Sequence, residues 1–227
     1  MSTEELTSLY LSLKVAFCAT LFSFPIAVLL AFVLARKEFW GKPLLHAAIH
    51  LPLLMPPVAT GYMLLLAFGK KGFIGTSLWD WFGFTFAFRW TGAALAAGLM
   101  ALPLFVQTIR VAMETADHRL EGAAATLGAS PLRRFFTITV PLAMPGILAG
   151  ALICFVKALG EFGATITFVS NIPGETQTLA LAIYSFLQTP AGDSAAFRLI
   201  GLSIVLAFSA LLLADYVSRA MQKRLKG

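Results

Sequence analysis

Residues 121–141 read EGAAATLGASPLRRFFTITVP, a small, polar and basic segment in a chain otherwise dominated by Leu, Phe and Ala. Its surroundings decide the fold class. The 227 residues are 59% hydrophobic and 12% charged, with mean hydropathy +0.83. Soluble domains carry about 25% charged residues. Too few charges exist here to coat a water-facing surface, so lipid is the main solvent. Apolar stretches of about 20 residues, the length of a helix crossing the hydrocarbon core, recur along the chain. The composition implies an all-α polytopic membrane protein.

Five transmembrane helices are expected, at residues 9–35, 44–68, 90–109, 142–162 and 195–216. Together they make one domain, 9–216, followed by a basic tail, 217–227. Pro52, Pro56 and Pro57 interrupt the second span. The N-terminal MSTEELTSLY carries Glu4 and Glu5 in place of a basic region, so the first span reads as a retained anchor. Orientation follows from Lys and Arg. One side collects Arg36, Lys37, Lys42, Arg110, Arg119, Arg133, Arg134 and the four basic residues of 219–226. The other holds Lys14, Lys70, Lys71, Arg89, Lys157 and Arg198. Eleven against six makes the first side cytoplasmic, with the N-terminus outside and the C-terminus inside. The net charge of +6 is then a matter of topology and contact with anionic membrane lipid, and no nucleic acid is needed to explain it.

The opening segment therefore lies on the cytoplasmic side. From Met113, METADHRLEGAAATLG reads as a helix in water, with Leu120, Ala123, Ala124 and Leu127 on one face. Gly128 suits the helix-ending position that needs φ > 0. After Ala129, Ser130 and Pro131 read as an N-cap and first helical residue of a second short helix, PLRRFFTI. The product is an elbow with a small apolar face, and Arg119, Glu121, Arg133 and Arg134 at its rim. It serves either as a knob entering another protein's groove or as a loop folded back on its own spans.

These residues resemble the cytoplasmic signature loop of bacterial ABC importer permeases. Gly128, Ile138 and Pro141 stand at signature positions, and Ala123 and Ala124 match its paired alanines. Val140 replaces the signature Leu. Gly122 holds the position of the signature acid, with Glu121 one residue earlier. Three further runs, ALGEFGATITFVSNIPGETQT, HLPLLMPPVATGY and GKKGFIG, resemble the molybdate-type branch of these permeases. The resemblance covers nearly the whole chain. It implies a type I importer fold, with a coupling helix that docks into a cleft on a separate ATP-hydrolysing subunit. The docking residues it implies are Glu121, Ala123, Ala124, Leu127, Gly128, Ala129, Ser130, Pro131 and Arg133. It also implies a second copy of the chain, two ATP-binding cassette subunits, an external oxyanion-binding protein, and a bacterial inner membrane. Molybdate is the implied cargo; sulfate, tungstate or another oxyanion is the alternative, and a passive channel or a membrane enzyme is more distant.

The chain contains no G-x-x-x-x-G-K-[ST] run, so it lacks a phosphate cradle. No ATP binding, catalysis or cofactor is expected of it; ATP belongs to a partner. Polar residues inside spans mark candidate path or gate positions. Lys157 and Glu161 stand four residues apart, either at a gate or as a helix salt bridge. Phe162 follows, and Gly160, Gly163 and Ala164 permit close packing. Thr165 and Thr167 offer neutral donors to a passing oxyanion, unless they bond their own helix carbonyls. Pro56 and Pro57 predict a break that lines a cavity or simply bends the chain. His46 and His50 have metal-ligand spacing with no third ligand nearby. Cys18 and Cys154 fall inside apolar spans and read as packing thiols.

Overall fold

The computed structural model describes residues 2–116, 118–190 and 192–226, and every regular element in them is helical. α1 spans Thr3–Arg36. A capping box starts it: Ser2 Oγ accepts from the Glu5 N–H at 3.2 Å, and the Ser2 N–H donates to Glu5 Oε2 at 2.9 Å. The helix thus begins at residue 3 and not at 9. Its 34 residues reach about 51 Å, against a hydrocarbon core of about 30 Å, so α1 extends beyond the core.

The expected second span, interrupted by prolines, is two helices, α2 (Lys42–Leu54) and α3 (Pro57–Phe68), bent by 110°. The Pro57 ring excludes Pro56 from the helical region, leaving it at φ −54°, ψ 129°. Pro52 lies within α2 without breaking it. Among the described residues, four helical stretches are long and apolar enough to cross a bilayer, and the bent pair adds a fifth crossing if its halves count as one span.

After α4 (Phe73–Phe82) comes α5 (Trp90–Thr115), the most buried long helix. Ala93, Ala96, Ala97 and Ala101 are fully buried on it, and such small side chains let α1 and α8 (Val140–Leu159) approach closely. α5 runs past residue 109. Met113–Thr115, expected in the cytoplasmic helix, belong to α5, and the chain turns at Ala116 (φ −69°, ψ 141°). Asp117 lies outside the described residues. The helix expected on the cytoplasmic side is α6 (His118–Thr126).

A short α7 (Pro131–Arg134) leads through a π-helical segment, Phe135–Thr139, into α8. The Val140 N–H bonds the Phe135 carbonyl, five residues back. Pro141 explains the wider turn: it has no N–H, and its ring crowds the carbonyl four residues before it. α8 ends at Leu159, so Phe162, the last residue of the expected fourth span, lies outside the helix. α9 (Gly163–Val169), α10 (Leu179–Leu187) and α11 (Asp193–Lys226) follow. Residues 217–226 of the expected tail continue α11 as helix; Gly227 lies outside the described residues.

Two apolar clusters hold the bundle. One joins Val15, Ala97, Leu64 and Phe168 from α1, α5, α3 and α9. The other joins Ala31, Phe105, Ile109 and Ile147 from α1, α5 and α8. Phe17, Phe22 and Leu29 on α1, and Ile204, Phe208 and Leu211 on α11, are exposed, an apolar surface suited to lipid or another membrane subunit.

Candidate functional site

The elbow is built as its residues dictate. Gly128 has φ +80°. The Ala129 N–H reaches the Ala124 carbonyl at 3.0 Å and the Gly128 N–H reaches the Ala125 carbonyl at 3.0 Å. This pair of bonds is a Schellman motif, which ends α6 and satisfies its last carbonyls. Ser130 then caps α7, its Oγ accepting from the Arg133 N–H at 3.3 Å, with Pro131 in the first turn. Leu127 is 88% exposed, and Leu120, Ala123 and Leu132 are also exposed. Ala124 and Ala129 are half-buried and Arg133 is exposed. Leu120, Ala123 and Leu127 of the expected face thus point away from the chain's own spans.

Glu121 differs from its expected place at the rim. It turns inward, where its Oε1 accepts from Arg36 Nη2 at 2.8 Å and from Thr139 Oγ1 at 2.8 Å. The Arg36 side chain is 7% exposed and that of Glu121 20%. One carboxylate therefore ties α6 to the end of α1 and to the π-helical segment. Beside it Phe32 and Phe135 pack edge to face, 4.7 Å between centroids. Arg36 and Thr139 were not legible as partners of the elbow, because they lie 85 and 18 residues from Glu121.

At the far end of α8 the chain breaks again. Lys157 Nζ lies 3.0 Å from Glu161 Oε2, and Glu161 Oε1 accepts from the Ala164 N–H at 3.0 Å. The Glu161 side chain, 3% exposed, thus satisfies a backbone donor that the start of α9 would leave free. Thr165 Oγ1 donates to the Phe162 carbonyl at 2.8 Å, and Thr167 Oγ1 to the Gly163 carbonyl at 3.0 Å. Both hydroxyls bond their own helix, the second of the two uses open to them. Phe162 packs on Tyr184 with 5.0 Å between centroids.

The two breaks meet. A Cβ on Gly163 would lie 2.6 Å from Pro57 Cβ, and one on Gly61 would strike the Ala164 carbonyl. α3 and α9 therefore cross with their backbones in near contact, directly after the prolines of one and the Glu161 turn of the other. Gly61 was not singled out from sequence; only its neighbour across the crossing shows why it is bare. Ser170, at φ 64°, ends α9 in the left-handed region that non-glycine residues rarely adopt.

His46 and His50 stack at 4.3 Å, and His50 Nδ1 lies 2.9 Å from the His46 carbonyl, which makes that nitrogen the donor. No group of three or more potential metal ligands occurs among the described residues. Cys18 and Cys154 are unpaired thiols, Cys154 buried.

A family model described as binding-protein-dependent transport system inner membrane component matches residues 23–223. Molybdenum transport system permease protein ModB of Haemophilus influenzae is 53% identical over 221 residues, covering 97% of this chain and 96% of that protein. The protein of the same name from Escherichia coli K12 is 52% identical over 224 residues, covering 99% and 98%. Sulfate transport system permease protein CysT of Salmonella typhimurium is 34% identical over 201 residues, covering 87% and 72%. Among solved structures, a chain of a bacterial alginate ABC transporter in complex with an alginate-bound periplasmic protein superposes with TM-score 0.76 at 17% identity, covering 98% of this chain and 81% of its own. A chain of the MetNI methionine ABC transporter, inward facing, gives 0.72 at 16%, covering 97% and 99%. The structural likeness is one of fold, that of ABC importer permeases. The family match takes in the bent pair, the elbow and the break after α8 together: this chain belongs to the inner membrane components of binding-protein-dependent transport systems.

Proposed function

We propose that this chain is the membrane-spanning permease subunit of an ATP-driven importer that carries molybdate across the bacterial inner membrane. A second copy of the chain completes the path along a two-fold axis. Two ATP-binding cassette subunits dock on the elbow from the cytoplasm, and an external binding protein delivers the oxyanion. The N-terminus lies outside and the C-terminus inside. The chain itself is not an enzyme and needs no cofactor of its own.

One observation carries the coupling role: a helix capped at its turn and latched by Glu121 presents exposed Leu120, Ala123 and Leu127 outward. A loop folded back on its own spans would bury that face. The two molybdenum permeases at 52–53% identity over nearly their full length favour molybdate above sulfate, whose permease is 34% identical.

α8 links the two functional ends. Its 20 residues form a strut of about 30 Å from the π-helical segment to the Gly160–Phe162 break. A pull on the elbow moves α8, and α8 moves α9 against α3. Broken helices at such a crossing suit a path or gate. Pro56, Pro57, Lys157, Glu161, Phe162, Thr165 and Thr167 all belong to this region. Thr165 and Thr167 spend their hydroxyl protons inside α9, so they shape the gate by packing.

The test is labelled molybdate uptake into vesicles holding this chain, its ATPase and its binding protein, with ATP inside and excess sulfate outside. ATP-dependent uptake that survives sulfate supports the proposal. Uptake abolished by sulfate moves the cargo to sulfate or a broader oxyanion class. Uptake without ATP overturns the coupling role and favours a passive channel.

A further inference from the structure

A cavity of about 310 Å³ opens at the root of the elbow, between the end of α1 and the π-helical segment. Among the described residues its lining has three cations, Arg36, Lys37 and Arg134, against one carboxylate, Glu121. That carboxylate is already engaged by Arg36 and Thr139. Arg134 Nε is buried and has no hydrogen-bond partner among the described residues. A guanidinium N–H withdrawn from water without an acceptor is costly; an acceptor oxygen relieves it, and an anionic oxygen makes the stronger bond. Lys37 is exposed on the same lining and adds a second positive charge within reach of such an anion. The rings of Phe32 and Phe135 supply an apolar wall beside these cations. Basic pockets between membrane helices near the headgroup layer are general sites for phosphate-bearing headgroups.

We infer that this cavity binds a phosphate-type oxyanion, held by Arg134 and Lys37 at the hinge of the elbow. The anion is either the headgroup of an anionic lipid or a free ion. Bound there, it joins α7 to the end of α1 and stiffens the joint that Glu121 and Arg36 also hold. The inference rests on the inner-membrane family alone, and not on the cargo or on coupling to ATP.

The experiment uses the full chain purified into nanodiscs, and no transport is read, so failure of the importer proposal leaves its result intact. In one arm, native mass spectrometry counts phosphatidylglycerol retained from a mixed phosphatidylcholine and phosphatidylglycerol disc. In the other, thermal unfolding in pure phosphatidylcholine is followed with inorganic phosphate at constant ionic strength. Wild type is expected to retain phosphatidylglycerol. Arg134→Gln and Lys37→Gln should retain about tenfold less, the loss of one charge-assisted contact. Arg219→Gln removes an equal charge from an exposed position on α11 and should retain as much as wild type. Lys37 is exposed, so its variant answers even where Arg134→Gln fails to fold. Stabilisation by phosphate in neutral lipid, lost in Lys37→Gln, supports the site with a free ion as the source. Equal loss in Arg219→Gln, or no response to lipid and phosphate alike, overturns it.

Discussion

Removing the Glu121 carboxylate should uncouple the elbow from the frame. The carboxylate oxygen sits 2.8 Å from Arg36 Nη2 and 2.8 Å from Thr139 Oγ1. Opposite charges about 4 Å apart at an effective dielectric near 20 attract by about 4 kcal/mol. Desolvation offsets part of that attraction. Taking one partner from a buried pair costs about 3–5 kcal/mol where the other charge has nothing else to meet, and less where it keeps a further contact. With Glu121 20% exposed, water can partly replace it, and about 2–3 kcal/mol is the expected loss. That is roughly 30–150-fold in the equilibrium between a docked and a loosened elbow. Hydrogen exchange across residues 118–127 of Glu121→Ala should accelerate by about that factor in the assembled transporter. ATP hydrolysis should persist while molybdate uptake falls by at least about tenfold, since the motor keeps its contact face but loses its grip on α1. Glu121→Gln keeps an acceptor for both partners and should lose about threefold. Reversing the pair, Arg36→Glu with Glu121→Arg, should recover part of the uptake. Exchange and uptake of Glu121→Ala within about twofold of wild type would refute the latch.

Three other outcomes are expected. Gly128→Leu meets no neighbouring atom but forces a side chain to φ +80°, costing about 1–2 kcal/mol; uptake should vanish while membrane insertion, read by immunoblot, persists, and Gly128→Asn should retain most uptake. Gly61→Ala places a methyl against the Ala164 carbonyl, so it should destabilise the purified chain by about 1–3 kcal/mol in thermal unfolding and abolish uptake. Glu161→Gln preserves an acceptor for the Ala164 N–H, so a structural carboxylate predicts uptake within about threefold of wild type, whereas a loss beyond about a hundredfold would require its charge at the gate.

Much of this was legible because the signals are local. Gly128, Ser130 and Pro131 each fix the conformation of one or two residues, and the elbow they spell is the elbow observed. The apolar runs placed the long helices for the same reason. Their ends were less legible. The capping box at Ser2 and Glu5 lengthens α1, and α5 runs to Thr115 because nothing before Ala116 stops it. The adjacent prolines of the second span announced a break, but not its size: the chain bends there by 110°, and α3 packs on α9, a partner more than 90 residues away in sequence.

The roles of charged residues were the least legible, since charge alone does not say which way a side chain turns. Glu121 read as a rim residue, and Glu161 as either a gate residue or half of a helix salt bridge; each closes a joint. Glu121 holds α6 to α1 at one end of α8, and Glu161 holds the start of α9 at the other. A half-buried carboxylate and a buried one at the two ends of one strut would make α8 a lever whose attachments are polar and whose shaft is apolar. Such joints have defined partners and break cooperatively, so a pull at the elbow reaches the α3–α9 crossing as a displacement and is not absorbed along the way. A Glu121→Ala, Glu161→Ala double variant tests this: two links in one chain of transmission should give a loss of uptake close to that of the more severe single variant, whereas independent local defects should multiply.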